Sequence, residues 1–109
     1  MRVELLWWEG CPSTEKALAD LREAMTALDL DPSSIAVREV ATDEAAADEG
    51  FIGSPTIRID GRDIQPPADE PAALTCRVYR LRDGRYSPTP DPDDVRDALK
   101  EAVHAAQHR

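Results

Sequence analysis

The chain has 109 residues, of which 41% are hydrophobic and 32% charged, and its formal net charge is −9. This length and composition predict one globular domain, residues 1–109, with a single core. The negative charge argues against nucleic acid and anionic membranes as partners, because both require a basic surface. The apolar runs are shorter than a membrane span or a secretory signal, so we expect a cytoplasmic protein.

The hydrophobic patterns predict seven elements in the order β-α-β-α-β-β-α. In chain order they are strand 2–8, helix 12–28, strand 35–40, helix 43–49, strand 56–59, strand 74–81 and a helix from 92 to near the C-terminus. Thr42 and Asp91 are suitable N-caps, Gly50 can end the second helix, and Asp60-Gly61 is a strong hairpin signal. This order predicts an α/β fold with a mixed sheet of about four strands and helices on both faces.

Cys11 lies where the first strand passes into the first helix, and Pro12 follows it directly. Proline suits the first helical position, because its missing N–H would have no helical partner there. The pattern therefore predicts that Cys11 is the helix N-cap, with its sulfur facing free N–H groups that favour a thiolate. Glu9 and Glu15 carry negative charges that oppose this effect. A reactive thiol and a small apolar turn residue both fit the position.

A second motif, G-S-P-T at residues 53–56, leads directly into the third strand. With W-x-x-C-P at residues 8–12 and the order of elements, it makes the chain resemble the thioredoxin-like superfamily, apart from residues 65–90. More narrowly, the chain is similar to small glutaredoxin-like bacterial proteins with a single active-site cysteine. Some of that group are labelled alkylmercury-lyase-like, and some carry selenocysteine at the cysteine position. The resemblance implies a thioredoxin-like fold and thiol-dependent redox chemistry without a cofactor.

The resemblance also implies roles for individual residues. Cys11 would be the nucleophile, Pro55 the cis-proline beside it, and the backbone of Ser54 the partner of a bound peptide or thiol. The flanking residues expected to contact substrate are Trp8, Pro12 and Thr56. Thr14 stands where thioredoxins carry a second cysteine, and its hydroxyl can donate a hydrogen bond to the thiolate. This departure leaves a monothiol mechanism, a distant resolving thiol or lost catalysis.

The second cysteine, Cys76, has two interpretations. Its alternation with Leu74 and Val78 favours a buried, inert core thiol. Two chain tracings are possible. If Asp60-Gly61 makes a tight hairpin, the chain returns toward the first cysteine and Cys76 can resolve a disulfide with Cys11. If residues 60–73 form one long loop, Cys76 lies mid-strand and well away from Cys11. A disulfide between them requires Cα atoms within about 7 Å.

The leading functional hypothesis is disulfide exchange through Cys11 with a low-molecular-weight thiol or a protein disulfide. The alternatives are a non-catalytic thioredoxin-like binding module and, from the resemblance alone, soft-metal or organomercurial handling. Four arginines near the second predicted hairpin are expected to be solvated, although some can bind the carboxylates of a thiol such as glutathione or mycothiol. They are Arg77, Arg80, Arg82 and Arg85. No metal site is expected, because His104 and His108 have helical spacing but no completing ligand.

Overall fold

In the computed structural model of the chain, residues 1–66 and 69–107 are described, so the prediction for His108 lies outside the described residues. The strands are β1 Val3–Trp7, β2 Ala36–Glu39, β3 Thr56–Ile59, β4 Arg62–Asp63, β5 Tyr79–Arg80 and β6 Tyr86–Ser87. The helices are α1 Thr14–Ala27, α2 Asp43–Glu49 and α3 Pro92–Gln107, with a 3₁₀ turn at Pro32–Ser34. None of the described helices is both long and apolar enough to cross a membrane.

Four strands form one mixed sheet in the order β2-β1-β3-β4. The central strand β1 runs parallel to β2, with Leu5 opposite Val37, and antiparallel to β3, with Leu5 opposite Ile57. β3 and β4 form a hairpin through Asp60 and Gly61, whose φ angles of 52° and 80° match the mirror-image turn that such a pair favours. The predicted mixed sheet is therefore confirmed, while β5 and β6 pair separately.

The alternating side chains of β1 bury both faces of the sheet. Val3 and Leu5 pack with the inward sides of α1 and α3, including Leu21 and Leu99. On the opposite face, Leu6 packs with a smaller cluster that contains Ala46 of α2. Each fully buried side chain of this size stabilises the fold by roughly 1.5–3 kcal/mol. Helices therefore cover both faces of the sheet, as the alternation of elements predicts.

The helix ends have the predicted chemistry at two of the three helices. The Thr42 hydroxyl accepts from the Ala45 N–H at 3.0 Å, and Gly50 ends α2 in the left-handed region at φ 63°. At α3, the Asp91 carboxylate accepts from the N–H of Asp93 at 3.0 Å. These contacts satisfy N–H groups that a helix end leaves without partners.

The start of α1 differs from the prediction. The helix begins at Thr14 and its N-cap is Ser13, so Cys11 lies two residues outside the cap. The Cys11 N–H instead donates to the carbonyl of Trp8 at 3.1 Å, in a turn that continues β1. The predicted placement of Cys11 as the N-cap is therefore wrong, because a turn intervenes between the strand and the helix.

The predicted strand at 74–81 is also wrong over most of its length, since only Tyr79 and Arg80 form a strand there. The side-chain alternation has the opposite phase to the one predicted. Arg77 and Tyr79 are 6% and 1% exposed, whereas Val78 is 65% exposed. The polar and aromatic positions, instead of the aliphatic ones, face the interior.

Candidate dithiol site

The structure brings the two cysteines to the same residue, since Cys76 is bridged to Ser54 and Cys11 donates a hydrogen bond to the Ser54 carbonyl. Both are free thiols. Cys11 is only 6% exposed, and its Sγ donates a hydrogen bond to the carbonyl of Ser54 at 3.3 Å. Cys76 is exposed. A hydrogen bond with Cys11, then partial burial and the charge of Cys11, raise the pKa of the Cys76 thiol above its ordinary value. The interpretation of Cys76 as a buried core thiol is therefore wrong.

A short parallel bridge between Ser54 and Cys76 holds this arrangement. The Ser54 N–H donates to the carbonyl of Thr75, and the Arg77 N–H donates to the carbonyl of Ser54, both at 2.8 Å. Residues 75–77, which we call the bridging segment, thus lie along the chain just before β3. The hairpin at residues 60–61 returns the chain to this end of the sheet, as one of the two predicted tracings requires.

Arg77 anchors the bridging segment from inside. Its guanidinium makes a bidentate pair with Asp63 at 2.6 and 3.0 Å and donates to the carbonyl of Gln65. It also stacks over the ring of Tyr79, with 4.4 Å between its Cζ and the ring centroid. A planar guanidinium suits this bidentate geometry. The prediction that Arg77 is solvated is therefore wrong.

Two more of the four arginines near the second hairpin, Arg82 and Arg85, pair with acidic neighbours on the surface. Arg82 contacts Asp94 at 2.7 Å and Asp97 at 2.6 Å, which ties the β5–β6 hairpin to α3. Arg85 contacts Asp83 at 2.7 Å within the hairpin turn. Arg80 is exposed and lines a cavity of about 390 Å³ beside Cys76. These arginines therefore do not converge on Cys11.

Gly53 is required by the close passage of the bridging segment. Its φ is +149°, and a Cβ there would lie 2.9 Å from the Cβ of Arg77 and 3.1 Å from its Cα. Real Cβ atoms do not approach that closely, so only glycine lets the two chain segments lie in contact. The first residue of the G-S-P-T motif thus serves packing.

The remaining residues of the motif are buried. The Ser54–Pro55 peptide bond is cis, as the resemblance implies. The Tyr79 hydroxyl donates to the carbonyl of Pro55 at 2.6 Å, and burial raises the pKa of that hydroxyl. The Thr56 hydroxyl donates to the carbonyl of Gly53 at 2.7 Å, and Thr56 is 1% exposed. Thr56, which was expected to contact substrate, therefore has no surface to offer.

The two tryptophans lie on opposite sides of β1. The Trp8 N–H donates to the Ser54 hydroxyl at 2.9 Å, and the Trp8 ring packs against the α2-side cluster. A Cβ on Gly10 would lie 2.3 Å from that ring, so the ring covers the glycine closely. The expected substrate contact at Trp8 is thus not beside the Cys11 cleft. Trp7 lies there instead, and the alternation along β1 is the sequence signal that could have assigned it.

A cleft of about 400 Å³ opens beside Cys11. Its lining residues are Trp7, Cys11, Pro12, Thr14, Glu15 and Val37. The Thr14 hydroxyl is buried and has no hydrogen-bond partner among the residues that the structure describes. Glu15 is one of the two acidic residues expected to act on Cys11. Val37 was not predicted, because only the parallel pairing of β1 with β2 brings it to this place.

Comparison with family models, curated proteins and solved structures gave no significant match to this chain. Within the described residues, no group of three or more histidine, cysteine, aspartate or glutamate side chains is placed to hold a metal ion. The chemistry of the site therefore has to be inferred from its own geometry, in which two free thiols adjoin Ser54 and each lines a cleft.

Proposed function

We propose that the protein is a thioredoxin-like thiol–disulfide oxidoreductase in which Cys11 attacks a disulfide and Cys76 resolves the product. The observation that carries this proposal is that both free thiols adjoin Ser54, Cys11 through a hydrogen bond to its carbonyl and Cys76 through the parallel bridge. Cys11 also lines a cleft, and Cys76 is exposed. The mixed sheet with helices on both faces and the buried cis-proline beside the thiols support the thioredoxin-like assignment.

The reaction would proceed in two exchanges. The Cys11 thiolate attacks one sulfur of a disulfide RS–SR, which forms a mixed disulfide and releases one thiolate, RS⁻. Cys76 then loses its proton, attacks the Cys11 sulfur and releases the second RS⁻. The two protein thiols are oxidised to one disulfide, and RS–SR is reduced to two RSH, with the protons that the two cysteines lose. An excess of a low-molecular-weight thiol would reduce the protein again.

The electrostatics of the pair support this division of roles. A hydrogen bond with Cys11, burial and the charge of Cys11 raise the pKa of the Cys76 thiol, so Cys76 stays protonated until it acts as the resolving thiol. Thr14 lines the same cleft, and its buried hydroxyl has no partner among the described residues, so we expect it to donate to a Cys11 thiolate. Hydrogen bonds to a charged sulfur stabilise the reactive form of a cysteine.

The test is direct linkage of the two cysteines. The reduced protein would be treated with an equimolar small disulfide, blocked with an alkylating agent and digested with trypsin. We expect a disulfide between the peptides 3–16 and 63–77, which contain Cys11 and Cys76. Cys76→Ser should instead accumulate a mixed disulfide on Cys11, and Cys11→Ser should react slowly.

Recovery of both cysteines as free thiols, under conditions that oxidise dithiothreitol, would overturn the proposal. It would leave a non-catalytic role, either as a binding module or in the binding of a soft metal ion. A mixed disulfide found only on Cys76 in the wild-type protein would reverse the assigned roles.

The contact between the thiols also favours a second candidate, the binding of a soft metal ion. Two thiolates suffice for an ion that accepts two sulfur ligands, such as Cu⁺ or Hg²⁺. One ion bound per chain, with binding lost in both Cys11→Ser and Cys76→Ser, would support it. Retention of tight binding in either variant would contradict a site shared by the two thiols.

A further inference from the structure

We propose that the site acts on small disulfides that carry no negative charge, and that it does not accept extended polypeptides. This inference rests on the proposed function and specifies its substrate class. Two independent features support it: the bridging segment, and the composition of the cleft beside Cys11.

The bridging segment occupies the place where an extended peptide would bind. A strand end with a free N–H and a free C=O can pair with an added peptide strand. At Ser54 both groups are already used, the N–H by Thr75 and the C=O by Arg77. The buried pair of Arg77 with Asp63 and the close contact at Gly53 hold the segment there. The chain thus fills the backbone edge at Ser54 with its own segment, which contains Cys76, and leaves neither group of Ser54 free for an added strand.

The cleft that remains beside Cys11 is small. Its volume of about 400 Å³ lies toward the lower end of the range of about 300–1,000 Å³ that is usual for small-molecule sites. Trp7, Pro12 and Val37 supply apolar walls, which suit a short aliphatic body.

The charge around this cleft opposes anions. Glu15 is the single charged residue in the cleft lining, and it has no ion pair among the described residues. The chain as a whole carries a formal charge of −9. No arginine of the described residues is in this lining: Arg77, Arg82 and Arg85 are each paired with a carboxylate, and Arg80 lines the separate cavity beside Cys76. Neutral and cationic disulfides should therefore reach Cys11 more readily than dicarboxylates, contrary to the expectation of glutathione-like carboxylate binding.

The experiment compares three disulfides of similar length and different charge: cystamine, 2-hydroxyethyl disulfide and 3,3′-dithiodipropionate. The rate at which each forms the Cys11–Cys76 disulfide would be measured at low salt. Each rate would be divided by the rate of the same disulfide with dithiothreitol. We expect the dicarboxylate to be slower than cystamine by about fivefold or more, and the difference to shrink near 1 M salt.

A pair of matched variants assigns the discrimination to the cleft. Glu15→Gln should reduce the preference for cystamine. Glu23→Gln, which removes an equal charge from an exposed position of α1 outside the lining, should leave the preference close to that of the wild type. Equal normalised rates for all three disulfides, or equal effects of both variants, would overturn the charge selectivity.

A polypeptide probe tests the size limit. An extended peptide that carries a mixed disulfide with cysteamine should oxidise the pair at least about tenfold more slowly than cystamine, after the same normalisation. Asp63→Asn weakens the ion pair that anchors Arg77. This variant should therefore reduce the rate difference between the peptide and cystamine. A peptide that reacts as readily as cystamine with the wild-type protein would overturn the proposal. If no disulfide oxidises the pair, the proposed function itself fails, which is a separate result.

Discussion

Thr14 destabilises the fold of the reduced protein, because its hydroxyl is buried and no hydrogen bond with the described residues compensates for that burial. Its hydroxyl is buried and lacks a partner among the described residues. A buried hydroxyl without a hydrogen bond is destabilising by about 1–3 kcal/mol. Thr14 also lines the cleft beside Cys11. Its presence there is explained if the hydroxyl donates a hydrogen bond to the Cys11 sulfur when the thiol is ionised.

Replacing Thr14 by valine separates these two effects. Thr14→Val should leave the free energy of unfolding unchanged or raise it by about 1 kcal/mol, because the unpartnered hydroxyl is removed. The same variant should slow the alkylation of Cys11 at neutral pH, since the thiolate loses a donor. Thr14→Ser retains the hydroxyl and serves as the control. Faster or unchanged alkylation in Thr14→Val would contradict the role in stabilising a thiolate.

The raised pKa of Cys76 gives a second prediction for a single residue. A hydrogen bond with Cys11 is its main cause, so Cys11→Ala should move the pH profile of Cys76 alkylation to lower pH. Peptide mass spectrometry after timed alkylation would measure the profile, with circular dichroism to check folding. A profile that stays in place or moves to higher pH would contradict the contact between the thiols.

The same shift has a consequence for stability. A thiol whose pKa is raised on folding binds its proton more tightly in the folded state. Its contribution to stability is fully present below the ordinary pKa of the thiol and is lost as the pH rises through the raised value. The reduced protein should therefore lose this contribution only in alkaline solution.

Among the elements, the bridging segment depends on a buried ion pair. Arg77 and Asp63 are 6% and 13% exposed, and removal of one partner would leave the other charge buried. Asp63→Ala should lower the free energy of unfolding by about 3–5 kcal/mol. Asp20→Ala, which removes the partner of the exposed Lys16, should change it by less than about 1 kcal/mol. Urea unfolding would measure both, and similar losses would contradict the anchoring role of Arg77.

The predicted elements that match the structure are those whose signals are local. Caps at Thr42 and Asp91 and the turn at residues 60–61 depend on neighbouring residues, so a short stretch of sequence suffices to predict them. The prediction for the segment around Cys76 was wrong because an ion pair with Asp63 holds Arg77 in the interior. Asp63 is 14 residues away along the chain. Periodicity assigns charged side chains to solvent and has no means of anticipating that partner.

For the site, the sequence predicted Cys11, Ser54 and Pro55 as neighbours through the motifs that carry the resemblance. For Cys76 the sequence left two chain tracings open, because residues 60–73 fit either a tight hairpin or one long loop. The cleft walls at Trp7 and Val37 depend on strand pairing between β1 and β2, which no single motif encodes.

At the level of the whole molecule, oxidation should stabilise the fold. A disulfide between Cys11 and Cys76 would close a loop of roughly 65 residues, and loop-closure entropy predicts up to about 4 kcal/mol of added stability at 25 °C. Urea unfolding of the oxidised and reduced protein should show a higher midpoint for the oxidised form. Cys76→Ser treated with the same oxidant is the control and should show no such gain. A lower midpoint after oxidation would indicate that the linkage distorts the native packing.

The hydrogen bond from the Arg77 N–H to the Ser54 carbonyl also allows the opening of the bridging segment to be measured by hydrogen exchange. That amide hydrogen exchanges with deuterated water only when the segment detaches, so its protection factor measures the local opening equilibrium. An opening free energy of about 4 kcal/mol would mean that the edge at Ser54 is free in roughly one molecule in a thousand. The fraction of time for which a polypeptide could enter the site is thus a property of the unliganded protein, measurable before any substrate is known.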